Sequence, residues 1–448
     1  MRNNEFDISK EEVSFQTTPI GKLVIKKLHG DKDLNIDIYD NCLIIVGDNG
    51  FGKTSVLNIV YSILSGNMKH LKDVNFSEVG LYFTDTKTNK PSSISISRIE
   101  LRIYEEFSNI NNHKTTISFN SKSSKIIKHF YNQKISKYLD VDSDHYHDEV
   151  MNSLVNESES KESIESIFDK YEEIKNKITR AKDQLNFQTL FLPTYRRIEQ
   201  NSEYFGLEEV EDDNINFGMD DVKTAIKKIT NEIIQSSINW VSKVNGEIIN
   251  EIINIEDEII IFDKSNEEQI KKTLNRIDER HLNSASKEKI FKLIESGKID
   301  ENETLVYFLN NMLKLYKEQN KNDNKLKDFS KVCNKYLKNK KIQYDEIKVK
   351  LKVLKGIDNE EIDFGLLSSG EKQIISIFAR LILTDDKNIA VIFDEPEISI
   401  SIKWQKMILE DIYNLKNCGF LIASTHSPFI FSNRLQKYTV DIEEKIGA

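Results

Sequence analysis

The sequence predicts an α/β fold in which both ends of the chain build one parallel sheet, interrupted by a mostly helical insertion. Three observations predict it. An apolar run, "CLIIV" (Cys42–Val46), leads into "GDNGFGKTS" (Gly47–Ser55), and "TSVLNIVYSIL" then continues at helical spacing. Near the other end, "NIAVIFDEPE" and "GFLIASTHSP" are apolar runs that finish on polar, chemically capable residues. Between them, from about Ser160 to Lys341, apolar residues recur every three or four positions. A strand buried on both faces reads as a continuous apolar run, whereas an amphipathic helix repeats at 3.6 residues.

Composition sets the outer limits. A chain of 448 residues is long enough for more than one compact unit. Its net charge of -10 excludes a uniformly basic nucleic-acid binder and leaves room for a local basic groove. Three cysteines, Cys42, Cys333 and Cys418, do not make a disulfide framework, so a reducing, cytoplasmic setting is expected. No apolar run approaches the roughly 18 residues of a membrane span. The opening residues lack the apolar core of a secretory signal.

Taken in order, "GKLVIKKL", "LNIDIYD" and "CLIIVG" read as three strands. The middle one alternates, with Leu34, Ile36 and Ile38 against Asn35, Asp37 and Tyr39. "VGLYFTD", "SISISRIELRIY" and "TTISF" read as further strands. A helix is expected from about Ser160 to Leu185, then a strand at "QTLFLP" ending at Pro193. A second helix runs from about Val222 to Ile253, and Lys-rich helical sequence continues to about Lys341. Strand-like alternation returns near Glu346. The expected organisation is residues 1–155 as the first part of the α/β unit, 156–345 as the insertion with one sheet strand near 187–198, and 346–448 as the second part.

Four motifs carry chemistry. Gly47, Asp48, Asn49, Gly50, Phe51, Gly52, Lys53, Thr54 and Ser55 fit G-x-x-x-x-G-K-[ST] in the strand-loop-helix context that a phosphate loop requires. Backbone N–H groups at the start of the helix would meet phosphate oxygens. Lys53 would reach the β- and γ-phosphates, Thr54 would ligate Mg²⁺, and Ser55 lies where an α-phosphate would pass. Asp394 and Glu395 end an apolar strand, as a metal ligand acting through water and a general base for an attacking water would. Ser368, Ser369, Gly370 and Glu371 in "LLSSGEKQ" begin a helix. They are a second anion site, or an N-cap with its capping box, and the same donors serve both. His426 follows a third apolar strand, in position to contact a γ-phosphate. More than 300 residues separate the glycine loop from the serine-glycine helix, a layout unlike that of a compact kinase or small GTPase.

Together these motifs resemble the ABC-type (SMC/RecF/OLD-like) P-loop ATPase heads, with "LSSGEKQ" matching the signature motif, "FDEPE" the Walker B motif and "STH" the switch histidine. The stretches "FLPTYRRIE", "DFGLLSSGEKQ", "DEPEISISIKWQKMILEDI" and "THSPFIFSN" most resemble the PtuA family, the ATPases of Septu antiphage systems, including retron-associated ones. The resemblance covers both chain ends and little of the helical middle. It implies ATP and Mg²⁺ as ligands and a head-to-tail dimer. In that dimer the loop at Lys53 of one copy and the helix at Ser368 of the other enclose each ATP. It also implies a separate PtuB-like HNH nuclease as partner, with DNA reached through the complex. The chain departs from the OLD pattern after Walker B, where L-H-P is replaced by Ser399, Ile400, Ser401 and Ile402. The sequence runs about 20 residues past His426, so no Toprim nuclease domain is expected in it. The competing readings are a DNA-repair or chromosome-associated RecF/SMC-type ATPase, and the ATPase of a PARIS-like pair with a Toprim effector.

Three weaker signals remain. "LPTYRRIEQ", with Tyr195, Arg196 and Arg197, is the candidate Q-loop. His145 and His147 in "DSDHYHDE" read as a solvated loop or a transition-metal site. The fourteen lysines from Lys314 to Lys355, Lys338, Lys340 and Lys341 among them, read as a solvated helix face or a nucleic-acid path.

Overall fold

The structure is a computed structural model that describes residues 18–72, 74–85, 88–104, 164–193, 197–198, 216–217, 219–253, 262–277, 279, 282–384 and 388–447. The chain opens with β1 (Ile20–Leu28), β2 (Lys32–Asp37), β3 (Cys42–Val46), α1 (Lys53–Ser65), β4 (Glu78–Asp85), β5 (Lys90–Ser97), α2 (Ile164–Leu185) and β6 (Gln188–Leu192). Next come β7 (Arg197–Ile198), β8 (Asn216–Phe217), α3 (Asp220–Ile253), α4 (Glu267–Arg276), α5 (Ser284–Ser296) and α6 (Glu303–Cys333). They are followed by β9 (Lys340–Asp345), β10 (Lys350–Lys355), β11 (Glu360–Ile362) and α7 (Ser369–Ile382). The last elements are β12 (Ile389–Asp394), α8 (Ile402–Tyr413), β13 (Cys418–Ser424), α9 (Pro428–Phe431) and β14 (Thr439–Asp441). Two compact units result. The first comprises Met1–Thr194, Lys387–Ile398 and Gln405–Ala448, and the second Tyr195–Asp386 and Ser399–Trp404.

The first unit holds a five-stranded sheet, β14-β3-β13-β12-β6, with every pairing parallel. Its apolar strands are buried along their length: β12 at all six positions, and β3 at all but the last. This is the burial that a continuous apolar run predicts for a sheet covered on both faces. α1 packs across β6, β12 and β13. An antiparallel sheet, β2-β1-β4-β5, stands beside it. There the alternation of β1 and β2 turns Leu23, Ile25, Leu34 and Ile36 inward. One apolar core takes side chains from both sheets, α1 and α2.

Arg98 to Tyr104, expected as strand, is helical. The Ser97 hydroxyl accepts from the Glu100 N–H at 3.2 Å, and the Glu100 carboxylate accepts from the Ser97 N–H at 2.7 Å. This reciprocal cap satisfies two backbone donors and starts a helix where apolar alternation alone suggested a strand. "TTISF" and "DSDHYHDE" lie outside the described residues.

The second unit is mostly helical. α3 spans 34 residues, about 50 Å at 1.5 Å per residue, and packs against α6. Val222, Ile226, Ile229 and Ile233 form its buried face. Arg276 makes two bonds of 2.8 and 2.7 Å to the Asp323 carboxylate, which also accepts from the Tyr344 hydroxyl at 2.5 Å. Both members of this ion pair are almost fully buried. The paired geometry and added hydrogen bond are what such a site requires. The helical sequence expected to reach about Lys341 instead ends at Cys333. Asn334 then bonds the Ile342 N–H at 2.7 Å and the Ile342 carbonyl at 2.8 Å, folding the chain back into β9. Among the described residues, no helix is long and apolar enough to cross a membrane.

Candidate functional site

The site lies at the C-terminal edge of the parallel sheet, where β3, β12 and β13 end side by side. The loop after β3 turns sharply, with positive φ at Gly47 (142°), Gly50 (84°) and Gly52 (94°). A Cβ on Gly47 would lie 2.6 Å from the Ile442 Cγ2, and one on Gly52 would lie 3.0 Å from the Leu28 Cδ2. Both conformation and close packing therefore require glycine at these two points. α1 starts at Lys53 with Gly52 as its cap and no capping side chain. The Val56 N–H bonds the Gly52 carbonyl at 2.9 Å, and the N–H groups of Lys53, Thr54 and Ser55 before it have no acceptor within the helix.

Lys53 is buried, and its ammonium donates to the Gly47 and Asp48 carbonyls, each at 2.9 Å. Burial holds its pKa below the ordinary lysine value, against the pull of Glu395, Asp394, Asp48 and Glu397. The Thr54 hydroxyl donates to the Asp394 Oδ2 at 3.0 Å. The other Asp394 oxygen accepts from the Ser424 hydroxyl of β13. Thr54 and Asp394 thus bring together only oxygen donors, the ligand set that suits a hard cation such as Mg²⁺.

Glu395, half-buried, has φ 49°, in the left-handed region where a side chain costs about 1 kcal/mol or more. Its N–H donates to the Ser424 carbonyl at 3.0 Å, fixing this turn against the end of β13. His426 is exposed, and its backbone N–H donates to the Glu397 Oε1 at 2.8 Å. The Thr425 hydroxyl donates to the other Glu397 oxygen, also at 2.8 Å. The structure therefore brings the glycine loop, Asp394, Glu395 and the His426 segment to one edge.

Three participants carry no motif of their own. Glu397 clamps the segment holding His426. His29, in the β1–β2 turn, places Nε2 3.0 Å from the Ser55 hydroxyl. Glu443 accepts from the Asp48 N–H at 3.0 Å. Only Glu397 has a sequence signal, the third acid of "DEPE".

The serine-glycine helix lies in the second unit. Ser368 caps α7, and Ser368 with Glu371 forms the predicted capping box. Ser368 and Ser369 are exposed, whereas Gly370 and Glu371 are buried. A Cβ on Gly370 would meet the Trp404 ring at 3.0 Å and the Ser399 carbonyl at 3.2 Å, so packing demands glycine here. Lys340 pairs with the Glu371 carboxylate at 2.7 Å. Burial raises the Glu371 pKa, and Lys340 and the Ser368 N–H outweigh it, leaving the carboxyl below its ordinary value. The Glu371 side chain is thereby committed within its own unit. Lys327, Lys350 and Lys352 of the Lys-rich stretch are likewise paired, with Glu346 or Glu361. Tyr195 and Arg196 of the candidate Q-loop lie outside the described residues.

A phosphate loop after β3, an acid-ended strand β12 separated from it by β13, and a parallel sheet drawn from both chain ends define a P-loop ATPase fold. The chain belongs to the AAA ATPase domain family, whose model matches residues 20–431. Comparison with curated proteins gives no match. Among solved structures, the chain is similar to the Smc head domain with an extended coiled coil bound to the C-terminal domain of ScpA from Pyrococcus furiosus. Identity is 12%, coverage 93% of this chain and 92% of that one, and the TM-score 0.36. It is also similar to an Smc head bound to the C-winged helix domain of ScpA, at 12% identity, 92% and 91% coverage and TM-score 0.34. A third similar structure is the Smc head domain with a coiled coil and joint from Pyrococcus yayanosii, at 13% identity, 93% coverage of each chain and TM-score 0.33.

Proposed function

We propose that this ATPase binds and hydrolyses ATP between two head-to-tail copies and reports nucleotide state through that assembly. The observation that carries the reading is the meeting of Lys53, Thr54, Asp394, Glu395 and the Glu397-held His426 segment at one sheet edge. The loop N–H groups and Lys53 bind the phosphates, Lys53 exchanging its two carbonyl partners for phosphate oxygens. Thr54 and Asp394 hold Mg²⁺, which when bound offsets phosphate charge. Glu395 takes a proton from the attacking water as its oxygen bonds to the γ-phosphorus. The bond from that phosphorus to the bridging oxygen breaks, releasing ADP and phosphate. His426 orients the γ-phosphate. The exposed Ser368 and Ser369 hydroxyls at the start of α7 are the groups a second copy offers to it. Loss of the γ-phosphate removes the charge on which that helix docks, so hydrolysis releases the pair.

The sequence likeness to the PtuA family supports the finer reading. There the chain is the ATPase subunit of an antiphage complex, is not itself a nuclease, and controls a separate HNH nuclease that acts on DNA. Co-purification of the full chain with an HNH protein encoded beside it is the expected outcome, and a Toprim neighbour instead would favour the PARIS-like pair. The assembly itself is tested by light scattering. Glu395→Gln with ATP and Mg²⁺ should shift to a dimer, and Lys53→Ala should show no ATP-dependent shift. A Glu395→Gln chain that hydrolyses ATP at the wild-type rate would remove the assignment of the base.

A further inference from the structure

We propose that His29 is a nucleotide-positioning residue that, together with Ser55, holds the α-phosphate. The proposal rests on reading the Gly47–Ser55 loop as a nucleotide site and adds a wall to it. The hydroxyls of consecutive residues take different partners: Thr54 bonds Asp394, and Ser55 bonds the His29 Nε2 at 3.0 Å. The imidazole therefore sits at Ser55, the residue next to the metal-side threonine and the one whose hydroxyl is left for a phosphate other than those served by Lys53 and Thr54.

Its placement is built in. His29 itself has φ 54°, within a turn where Lys27 (52°) and Gly30 (103°) are also left-handed. The Lys27 N–H bonds Asp33 at 2.7 Å and the His29 N–H bonds the Asn75 carbonyl at 2.8 Å, pinning the turn at both points. A Cβ at Gly52 would come within 3.3 Å of the His29 ring, so the cap glycine of α1 also makes room for the imidazole. The same turn leads to Lys32, whose ammonium lies 4.6 Å from the Phe51 ring centroid, placing a second cation beside the loop. The His29 side chain is exposed and can donate Nε2–H to a phosphate oxygen while the Ser55 hydroxyl donates to the same group.

The test measures ATP binding by calorimetry to the full chain carrying Glu395→Gln, with and without a change at His29. His29→Ala should raise the ATP Kd about tenfold, the loss of one hydrogen bond to a charged group. His29→Gln, whose amide nitrogen can stand near the Nε2 position, should recover most of it. Replacing ATP by its α-thio analogue should weaken binding to the parent and change little in His29→Ala, because the contact being perturbed is already gone. A His29→Ala chain that binds ATP like its parent, or still discriminates the α-thio analogue as its parent does, would overturn the proposal. If the parent binds ATP with no loss on Lys53→Ala, the loop reading fails and this inference fails with it.

Discussion

At the scale of single residues, the site is held by contacts between strand ends rather than by the motifs taken singly. Glu397 shows this best, since one carboxylate receives both the His426 N–H and the Thr425 hydroxyl. Glu397→Gln keeps one acceptor oxygen and replaces the other by a donor that faces the same groups. Under the proposed mechanism, kinetics and a parallel ATP titration should show kcat lowered about tenfold with the ATP Kd nearly unchanged, because Glu397 holds the segment whose His426 the proposal sets against the γ-phosphate. An equal loss in Kd would assign Glu397 to binding instead. The glycine loop and the Asp-Glu pair were legible because their chemistry demands those residue types within a few positions of a strand end. Glu397 was half-legible: it is the third acid of "DEPE", and only the end of β13 beside it gives it the Thr425 and His426 partners. His29 and Glu443 were not legible, because their partners Ser55 and Asp48 are remote in sequence and no residue pattern links them.

At the scale of elements, α7 combines a helix cap, a close packing contact and an ion pair, between the buried Glu371 and the half-buried Lys340, in its first turn. Ser368→Ala should cost about 1 kcal/mol in urea unfolding, as the loss of a serine cap does. Glu371→Gln removes the charge that Lys340 faces and should destabilise the chain by about 1–3 kcal/mol at pH 7. Because the folded Glu371 pKa lies below the ordinary carboxylate value of about 4.3, its contribution is complete above that pH. The contribution is then lost as pH falls through the lowered folded value. Unfolding curves across that window should therefore bring the mutant and parent together, and a gap that stays constant into strong acid would contradict the assignment. For the same reason, charge reversal at Lys340 damages α7 whatever else the Lys-rich stretch contacts. Lys338 and Lys341 give the cleaner test of a nucleic-acid path. The capping box of α7 was readable from Ser-x-x-Glu spacing, and the same spacing at Ser97 and Glu100 went unread because alternating apolar residues ran through it. The turn at Asn334 depends on bonds to Ile342, so the end of α6 follows from tertiary contacts that lysine-rich periodicity does not report.

At the scale of the whole molecule, the central sheet takes its strands from residues as far apart as Cys42 and Asp441, and the motif-bearing strands are its interior. That both ends contribute was legible, since apolar runs ending in polar groups occur at each. The role of the last stretch was not, for residues 434–446 carry no motif. Their structure gives them one. β14 pairs with β3 along Ile44–Val46, the Ile442 N–H bonds the Val46 carbonyl at 2.9 Å, and Ile442 packs on Gly47. With Glu443 on the Asp48 N–H, the C-terminal turn braces the first half of the glycine loop. A chain ending at residue 431 retains every nucleotide motif, yet exposes the edge of β3 and frees the loop entrance. It should bind ATP at least tenfold more weakly in equilibrium titration and melt at lower temperature. Glu443→Ala isolates the brace from the strand. It removes one hydrogen bond at an exposed position, so the melting temperature should hold while ATP affinity falls about threefold to tenfold. Unaltered ATP affinity in both variants would show that the loop is shaped by β3 and α1 alone.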